Sequence, residues 1–338
     1  DIGDPAWEMA ERTVRDLGAT NFRIEPLAAR RSTCSLKCSS LLQAVAGLDD
    51  ACQIVALADA DTVPHRTWLR ELAGALADPR VGAVTGNRWY MPADASWGGL
   101  VRYLWNAAAI VQMYWYRIAW GGTLAIKRNV LRETDLVERW SKAFCEDTML
   151  YKALRPHKLR VDFVPSLMMI NRESCDVPGY FSWVRRQMLT ARLYHPRWIN
   201  VVAYGVVTSV ALGSAVVLLT AAAATENRAA LTWTGGALAC YMVSMLAMLT
   251  PMESAVRAIA RSRGEPANWT TGRTLLRIVL AIPLTQAIYA AVIASTMLVR
   301  RVEWRGVEYR IGGPWQIELV EYRPYEVSGR SADAVSSL

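Results

Sequence analysis

Three long stretches without a single charged side chain constrain this sequence most: Ile199–Thr225, Ala229–Met252 and Ile278–Val299. A surface helix in water keeps a polar face for the solvent, and these segments have none to offer. About 20 apolar residues in a helix cross a hydrocarbon core of ~30 Å, so the pattern predicts a membrane region over 199–299. A buried core helix can also be apolar all round, but rarely at this length and rarely three times in succession.

The charge distribution fits the same reading. The formal net charge is +8, which on a soluble patch would suggest nucleic acid. Here Arg185, Arg186, Arg192 and Arg197 precede the first stretch, and Arg257, Arg261, Arg263, Arg273 and Arg277 lie between the second and third. Arginines in such places mark the cytoplasmic side beside anionic lipid. We therefore assign the charge to membrane and phosphate contacts and expect no nucleic-acid partner. Three complete crossings would carry Arg300, Arg301, Arg305 and Arg310 to the side opposite residues 1–198, against the same rule. Pro283 inside the third stretch leaves a re-entrant or interfacial segment as the alternative, and the tail at 300–338 is expected on the cytoplasmic side. Its small, polar last residues, Ser328–Leu338, are expected to be disordered. Of six cysteines, Cys34 and Cys38 have loose metal-like spacing, but there is no second pair and the chain has three His. Reduced thiols are expected, and no zinc site.

Residues 1–198 read as a soluble domain. Pro5–Leu17 has helical spacing, with Asp4 as its cap, and Asn21–Pro26 alternates like a short strand. Ser35–Ala46 predicts a second helix with Lys37 near its start. Cys52–Ala58 is a nearly continuous apolar run of the kind that forms a buried parallel strand. Asp59-Ala60-Asp61-Thr62 follows at its carboxyl end, Pro64 opens a helix over His65–Leu76, and Val81–Asn87 is another buried strand. Alternating strands and helices predict an open, mostly parallel α/β sheet, whose ligands gather outside the carboxyl ends of strands. Residues 96–121 form an aromatic-dense helix, with Trp97, Trp105, Tyr114, Trp115 and Trp120 among its rings. Such rings favour the headgroup level of a bilayer, though an aromatic core helix would look the same. Gly121–Arg128 reads as a loop entering a strand, and Cys145-Glu146-Asp147-Thr148 as the start of a helix running to about Leu154.

Two groups of carboxylates could carry chemistry. Asp59 and Asp61, one residue apart at a strand end, can share a Mg²⁺ or Mn²⁺ ion that also binds a diphosphate. The plain alternative is a turn that caps the next helix. Glu146-Asp147 at a helix start is also explained by capping. Together with the first pair, however, it offers a separate carboxylate to take a proton from an attacking hydroxyl.

The order Asp59-Ala60-Asp61, Trp120-Gly121-Gly122-Thr123, Glu146-Asp147-Thr148, then Arg185-Arg186-Gln187 before a membrane helix resembles the family 2 glycosyltransferases of GT-A fold. Within them it is most similar to the ceramide-glucosyltransferase-like branch, which includes bacterial lipid and hopanoid glycosyltransferases. Val302-Glu303-Trp304-Arg305-Gly306-Val307-Glu308-Tyr309-Arg310 is also similar to that branch. The resemblance covers roughly residues 1–312. It implies an α/β fold with a Rossmann-like mixed sheet flanked by helices, a cytosolic catalytic domain at 1–198, and transmembrane or interfacial helices after it. It further implies that Asp59 and Asp61 bind Mg²⁺ or Mn²⁺ and the donor diphosphate, and that Asp147 is the catalytic base with Glu146 beside it. Lys37 would face the nucleotide and Asp1 would contact its base, while Arg185, Arg186 and Arg192 are candidates for diphosphate or lipid-headgroup contact, with simple snorkelling at the membrane surface as the alternative. Family members begin with a further strand, so a first strand and an N-terminal membrane helix are expected upstream. Trp183-Val184-Arg185-Arg186-Gln187 keeps only the arginine of a motif that processive polysaccharide synthases carry near their first C-terminal membrane helix. The implied activity is inverting transfer of one sugar from a nucleotide-sugar, UDP-linked by resemblance, to a lipid acceptor at the bacterial inner membrane. A processive synthase and a non-enzymatic membrane protein are the alternatives.

Overall fold

The computed structural model of the chain describes residues 5–92, 94–267 and 271–323. Asp1, the Asp4 cap and the end of the tail lie outside them. After helix α1 (Pro5–Asp16) and α2 (Leu36–Ala46), strand β1 (Ile54–Ala58) leads to α3 (Trp68–Leu76), β2 (Val81–Thr85) and a short β3 (Arg88–Tyr90). Helix α4 (Trp97–Tyr116) and strand β4 (Thr123–Lys127) follow, then the short helices α5 (Arg128–Glu133), α6 (Leu136–Trp140) and α7 (Leu150–Leu154). Strands β5 (Arg160–Phe163) and β6 (Met169–Asn171) precede helix α8 (Val177–Tyr194).

The main sheet has the order β1-β4-β2-β5. Strand β4 runs antiparallel to both β1 and β2, and β2 pairs with β5 in parallel. The sheet is therefore mixed, as the resemblance implies, and less parallel than the βα alternation suggested. Strand periodicity sends Leu124 and Ile126 to one face, where they meet Trp140, Leu150 and Leu154, and Ala125 to the other, against Trp68 and Leu72. Helices thus cover both faces. Strand β2 is buried throughout, but β1 is not the buried strand its apolar run suggested. It has β4 on one side and no strand on the other among the described residues, and Ile54 is 36% exposed.

Two other expectations shift for local reasons. Asn21–Pro26 is not a strand. The Gln43 side chain instead donates to Pro26 O at 3.0 Å and accepts from Ala28 N at 2.8 Å, which serves this backbone without a neighbouring strand. The helix expected from His65 starts at Trp68, after a turn in which Trp68 N donates to His65 O. In α4 the first half is core, with Trp89 edge-on to Tyr103 at 5.6 Å and Trp105 edge-on to Trp183 at 5.4 Å. Its last turn leaves Trp115 72% exposed.

Helices α9 (Trp198–Ala224), α10 (Arg228–Ser262) and α11 (Gly272–Met297) are each long and apolar enough to cross a membrane. The first two present mostly exposed apolar side chains. Helix α10 runs ten residues past its uncharged stretch, and there Glu253 accepts hydrogen bonds from Trp89 Nε1 at 3.2 Å and Tyr103 OH at 3.1 Å. Helix α11 packs along α4, α8 and α9, and both its ends are tied to the domain below. Near its start Arg277 donates to Ala95 O at 2.9 Å; at its end Arg192 donates to Met297 O at 2.9 Å and Val299 O at 3.1 Å.

The tail then folds into an antiparallel sheet of β7 (Arg301–Trp304), β8 (Val307–Gly313) and β9 (Gln316–Tyr322). It shares one core with the N-terminal α/β domain: Val302, Val307, Tyr309, Ile311 and Ile317 pack with Cys34, Cys38 and Phe144. Leu319 N donates to Ser32 O at 2.8 Å, and Tyr309 OH accepts from Leu36 N at 3.1 Å.

Candidate active site

Strand β1 ends at Ala58, and the chain turns immediately, with Thr62 N donating to Asp59 O at 3.0 Å. Because β4 is antiparallel, its first residue Thr123 pairs with Ala58. The segment Trp120-Gly121-Gly122 therefore arrives beside Asp59. Lys37, in the first turn of α2, bridges two carboxylates, 2.6 Å from Asp59 Oδ1 and 2.7 Å from Glu146 Oε1. Burial opposes its charge, but Glu146, Asp59 and Asp147 outweigh that and hold its pKa above the ordinary lysine range. Glu146 is 1% exposed. Burial, reinforced by the charge on Asp147, raises its pKa against the pull of Lys37.

The segment Phe144–Thr148 precedes α7 by a turn instead of opening it. Trp140 Nε1 donates to Glu146 O at 2.9 Å, and Phe144 N donates to Tyr194 OH at 2.7 Å. Asp147 is held by two backbone donors, Gly121 N to Oδ2 at 2.8 Å and Thr148 N to Oδ1 at 2.6 Å. A carboxylate has about four lone-pair directions, so two remain for a substrate. Both glycines are steric requirements. A Cβ on Gly121 would stand 1.7 Å from Glu146 Oε1, and one on Gly122 would stand 2.0 Å from the Trp120 ring and 2.6 Å from Asp59 Oδ2.

Three guanidinium groups face these acids. Arg186 lies 4.9 Å from the centroid of Trp304, and Arg88 lies 4.5 Å from that of Trp120. Burial, with the like charges of Arg88 and Arg305, pushes Arg186 down to about 10. Arg305 Nη2 reaches Asp61 Oδ2 at 3.1 Å. Of the residues expected at the site, the fold brings Lys37, Asp59, Asp61, Glu146, Asp147 and Arg186 around one cleft. Arg185 does not line it, and Arg192 serves the carbonyl end of α11. Sequence reasoning missed Arg88, Trp304 and Arg305 as site residues. Trp304 and Arg305 lay within the tail segment already noted for its resemblance, which assigned them no role. Arg88 carried no signal beyond following a buried strand.

Two spaces meet at Asp147. One is an open cleft of about 1240 Å³ that holds the charged side chains of Asp59, Asp61, Lys37, Arg186 and Arg305. The other is an apolar cavity of about 140 Å³ that reaches Val201 and Tyr204 of α9, Met245 of α10 and Tyr289 of α11. Both are lined by Arg88, Trp120, Asp147, Gln187 and Thr190.

The sequence matches the model of glycosyl transferase family 21 over residues 1–315. The chain belongs to this family and is a glycosyltransferase. No curated protein matches it. Among solved structures it is similar to a mannosyltransferase from Pyrobaculum calidifontis in complex with GDP-Man and Mn²⁺. The two share 19% identity and a TM-score of 0.48 over 87% of this chain and 75% of that one.

The donor set of this glycosyltransferase fits a divalent ion that a substrate helps to bind. Among the described residues no three His, Cys, Asp or Glu side chains form a protein cage. Small hard cations such as Mg²⁺ commonly use one or two carboxylates and complete their shell with water and substrate phosphates. Asp59 and Asp61 supply such a pair, and each is neutralised in this structure by a side-chain cation, Lys37 or Arg305.

Proposed function

We propose that this glycosyltransferase transfers a single sugar, with inversion, from a nucleotide-sugar to the hydroxyl of a membrane lipid. The observation that carries the reading is Asp147, which lines both the cleft of charged side chains and the apolar cavity that reaches the long helices. A nucleotide diphosphate suits the first space by charge, and an acyl or isoprenoid chain suits the second by its apolar lining. The acceptor hydroxyl would then meet the sugar beside Asp147.

The roles follow from position. Asp147, fixed by Gly121 N and Thr148 N, takes the proton from the acceptor hydroxyl as its oxygen bonds to the anomeric carbon. The bond from that carbon to the diphosphate breaks, and the electron pair leaves with the nucleoside diphosphate. Asp59 and Asp61 would hold Mg²⁺ or Mn²⁺, which when bound neutralises charge on the departing diphosphate. Lys37 and Glu146 act as positioning residues: their ion pair fixes the ammonium group against Asp59. We further propose a UDP-sugar donor and a bacterial inner-membrane location with the cleft facing the cytoplasm, both on the strength of the sequence resemblance.

The test is a screen of nucleotide-sugars, UDP-linked ones first, with membrane lipid extract, with and without EDTA, followed by product mass. A lipid heavier by one sugar is expected, with EDTA suppressing it. Asp147→Asn in a folded protein is expected to lower turnover by roughly 10²- to 10⁴-fold, the usual worth of a general base. Unchanged turnover would remove Asp147 from that role, and a ladder of products would make the enzyme processive.

A further inference from the structure

We propose that Arg305, on the turn between β7 and β8, is a donor-binding residue that exchanges Asp61 for the diphosphate of the incoming nucleotide-sugar. The inference rests on the nucleotide-sugar reading of the cleft and adds to it a part that the C-terminal sheet supplies.

The turn is the first observation. Trp304 pairs with Val307, which leaves Arg305 and Gly306 as its two central residues, at φ +51° and +71°. Positive φ at both positions is the type I′ hairpin geometry, which favours Asn, Asp or Gly at the first. A long side chain there is held against the steric preference of the backbone. The other non-glycine residues with positive φ, Arg117, Lys158 and Glu226, follow helix ends, where a left-handed residue is common. Among the described residues Arg305 is the one placed in a hairpin, and the strained position aims its guanidinium across 244 positions of sequence at Asp61.

The second observation is that this contact is not what secures the sheet. Arg305 and Asp61 side chains are 58% and 65% exposed, and an exposed ion pair contributes little to stability because water screens it. The hairpin is anchored from behind instead, by Phe144 against Trp304 at 5.9 Å and against Tyr309 at 5.3 Å. A weak contact on a firmly held support can be exchanged without moving the fold.

The third is the charge pattern. Arg186 and Arg88 stand near enough to Arg305 to share its cleft, with Arg186 over the Trp304 ring next to it. Their repulsion is offset here by acids of the same cleft, Asp59, Asp61 and Glu173, and a bound diphosphate would supply further negative charge. Guanidinium groups bind phosphate oxygens through paired N–H donors, with better geometry than an ammonium group. Asp61 cannot give one oxygen pair fully to both a guanidinium and a divalent ion. A divalent ion held by Asp61 would compete with Arg305 for that carboxylate, and the guanidinium would then turn from Asp61 to a diphosphate bound in the same cleft.

The experiment uses the full chain in lipid nanodiscs. Mn²⁺ binding is measured alone by electron paramagnetic resonance, and UDP and GDP binding by calorimetry in the presence of Mn²⁺. Arg305→Ala is expected to weaken the nucleoside diphosphate that wild type binds by roughly 10- to 100-fold, the worth of a hydrogen bond to a charged group. Its affinity for Mn²⁺ alone is expected to be unchanged or up to about fivefold tighter, because a competitor for Asp61 has gone. Arg305→Lys is expected to fall between wild type and Arg305→Ala. Arg301→Ala, which removes an exposed pair with Glu308 on the same hairpin, is expected to bind as wild type does. Wild-type affinity in Arg305→Ala would overturn the inference. So would a parallel loss of Mn²⁺ binding, which a merely structural role produces. A wild-type protein that binds neither UDP nor GDP would overturn the donor reading of the cleft and this inference with it.

Discussion

Gly121 shows how much of the site is arranged at the scale of one residue. Its N–H orients Asp147, and its missing side chain leaves room for Glu146, which in turn holds Lys37 against Asp59. We expect Gly121→Ala to lower turnover at least a hundredfold while the protein still folds, because the added methyl must displace a buried carboxylate. Gly74→Ala, in a helix with open space around it, is expected instead to raise stability by about 0.5–1 kcal/mol. Thermal unfolding and turnover measured on both variants check the contrast. His195 gives a pH dependence of stability. Burial lowers its pKa to about 4, so as pH falls below the ordinary histidine range the unfolded chain takes up a proton that the folded one refuses. The contribution of His195 is complete above pH ~6.5, is lost between ~6.5 and ~4 by up to ~3 kcal/mol, and then levels off, while the raised pKa of Glu146 contributes in the opposite direction. His195→Gln is expected to flatten that part of the unfolding curve, and an unchanged slope would point to another group. Neither effect was legible in sequence: Trp120-Gly121-Gly122-Thr123 stood out only by resemblance, and one histidine looks like another until its neighbours are known.

At the scale of elements, helix α2 depends on distant chain for one of its end donors. Ser35 caps it conventionally, accepting from Cys38 N at 3.1 Å. Its first N–H, on Leu36, is served by the hydroxyl of Tyr309 from strand β8. Tyr309→Phe keeps the ring against Phe144 but strands that donor, so a loss of about 1–3 kcal/mol is expected from denaturant unfolding. A loss below a few tenths would mean the donor finds another partner. The helices were readable in advance because caps and apolar spacing are local, as in Ser35–Ala46 and the long stretches after Ile199. The strands were read less well. β1 has the apolar run of a buried strand yet lies at the edge of the sheet that the described residues form, and Asn21–Pro26 alternates without pairing there. Strand pairing depends on which distant segment arrives alongside, and no local pattern encodes that.

At the scale of the whole molecule, the placement of the tail bears on how the chain meets a bilayer. The C-terminal sheet shares a core with the catalytic elements, and both ends of α11 are tied to them. Helices α9 and α10, at about 40 and 52 Å for 27 and 35 residues, exceed the ~30 Å hydrocarbon core. The surplus in α10 is the stretch around Glu253 that packs on α4. We predict that α9 and α10 cross as a hairpin while α11 lies along the interface. That places Arg300, Arg301, Arg305 and Arg310 on the catalytic side, in accord with the positive-inside rule. Single cysteines at Arg66, Glu226 and Glu318, in a background without reactive native thiols, test this with a membrane-impermeant reagent on sealed vesicles. Positions 66 and 318 are expected to label from one side and 226 from the other. Labelling of 66 and 318 from opposite sides would mean that α11 crosses.

Composition and periodicity alone determined that this chain has a charged α/β portion followed by long apolar helices, because burying apolar surface is a local demand that each segment states for itself. The ordered motifs added the family and the acids at 59, 61, 146 and 147. Tertiary structure alone decided which groups face those acids. The antiparallel insertion of β4 brings Gly121 and Gly122 to Asp59, and the C-terminal sheet returns Arg305 to Asp61. Such contacts join residues far apart in sequence, and their energy is realised only when the chain between them has folded.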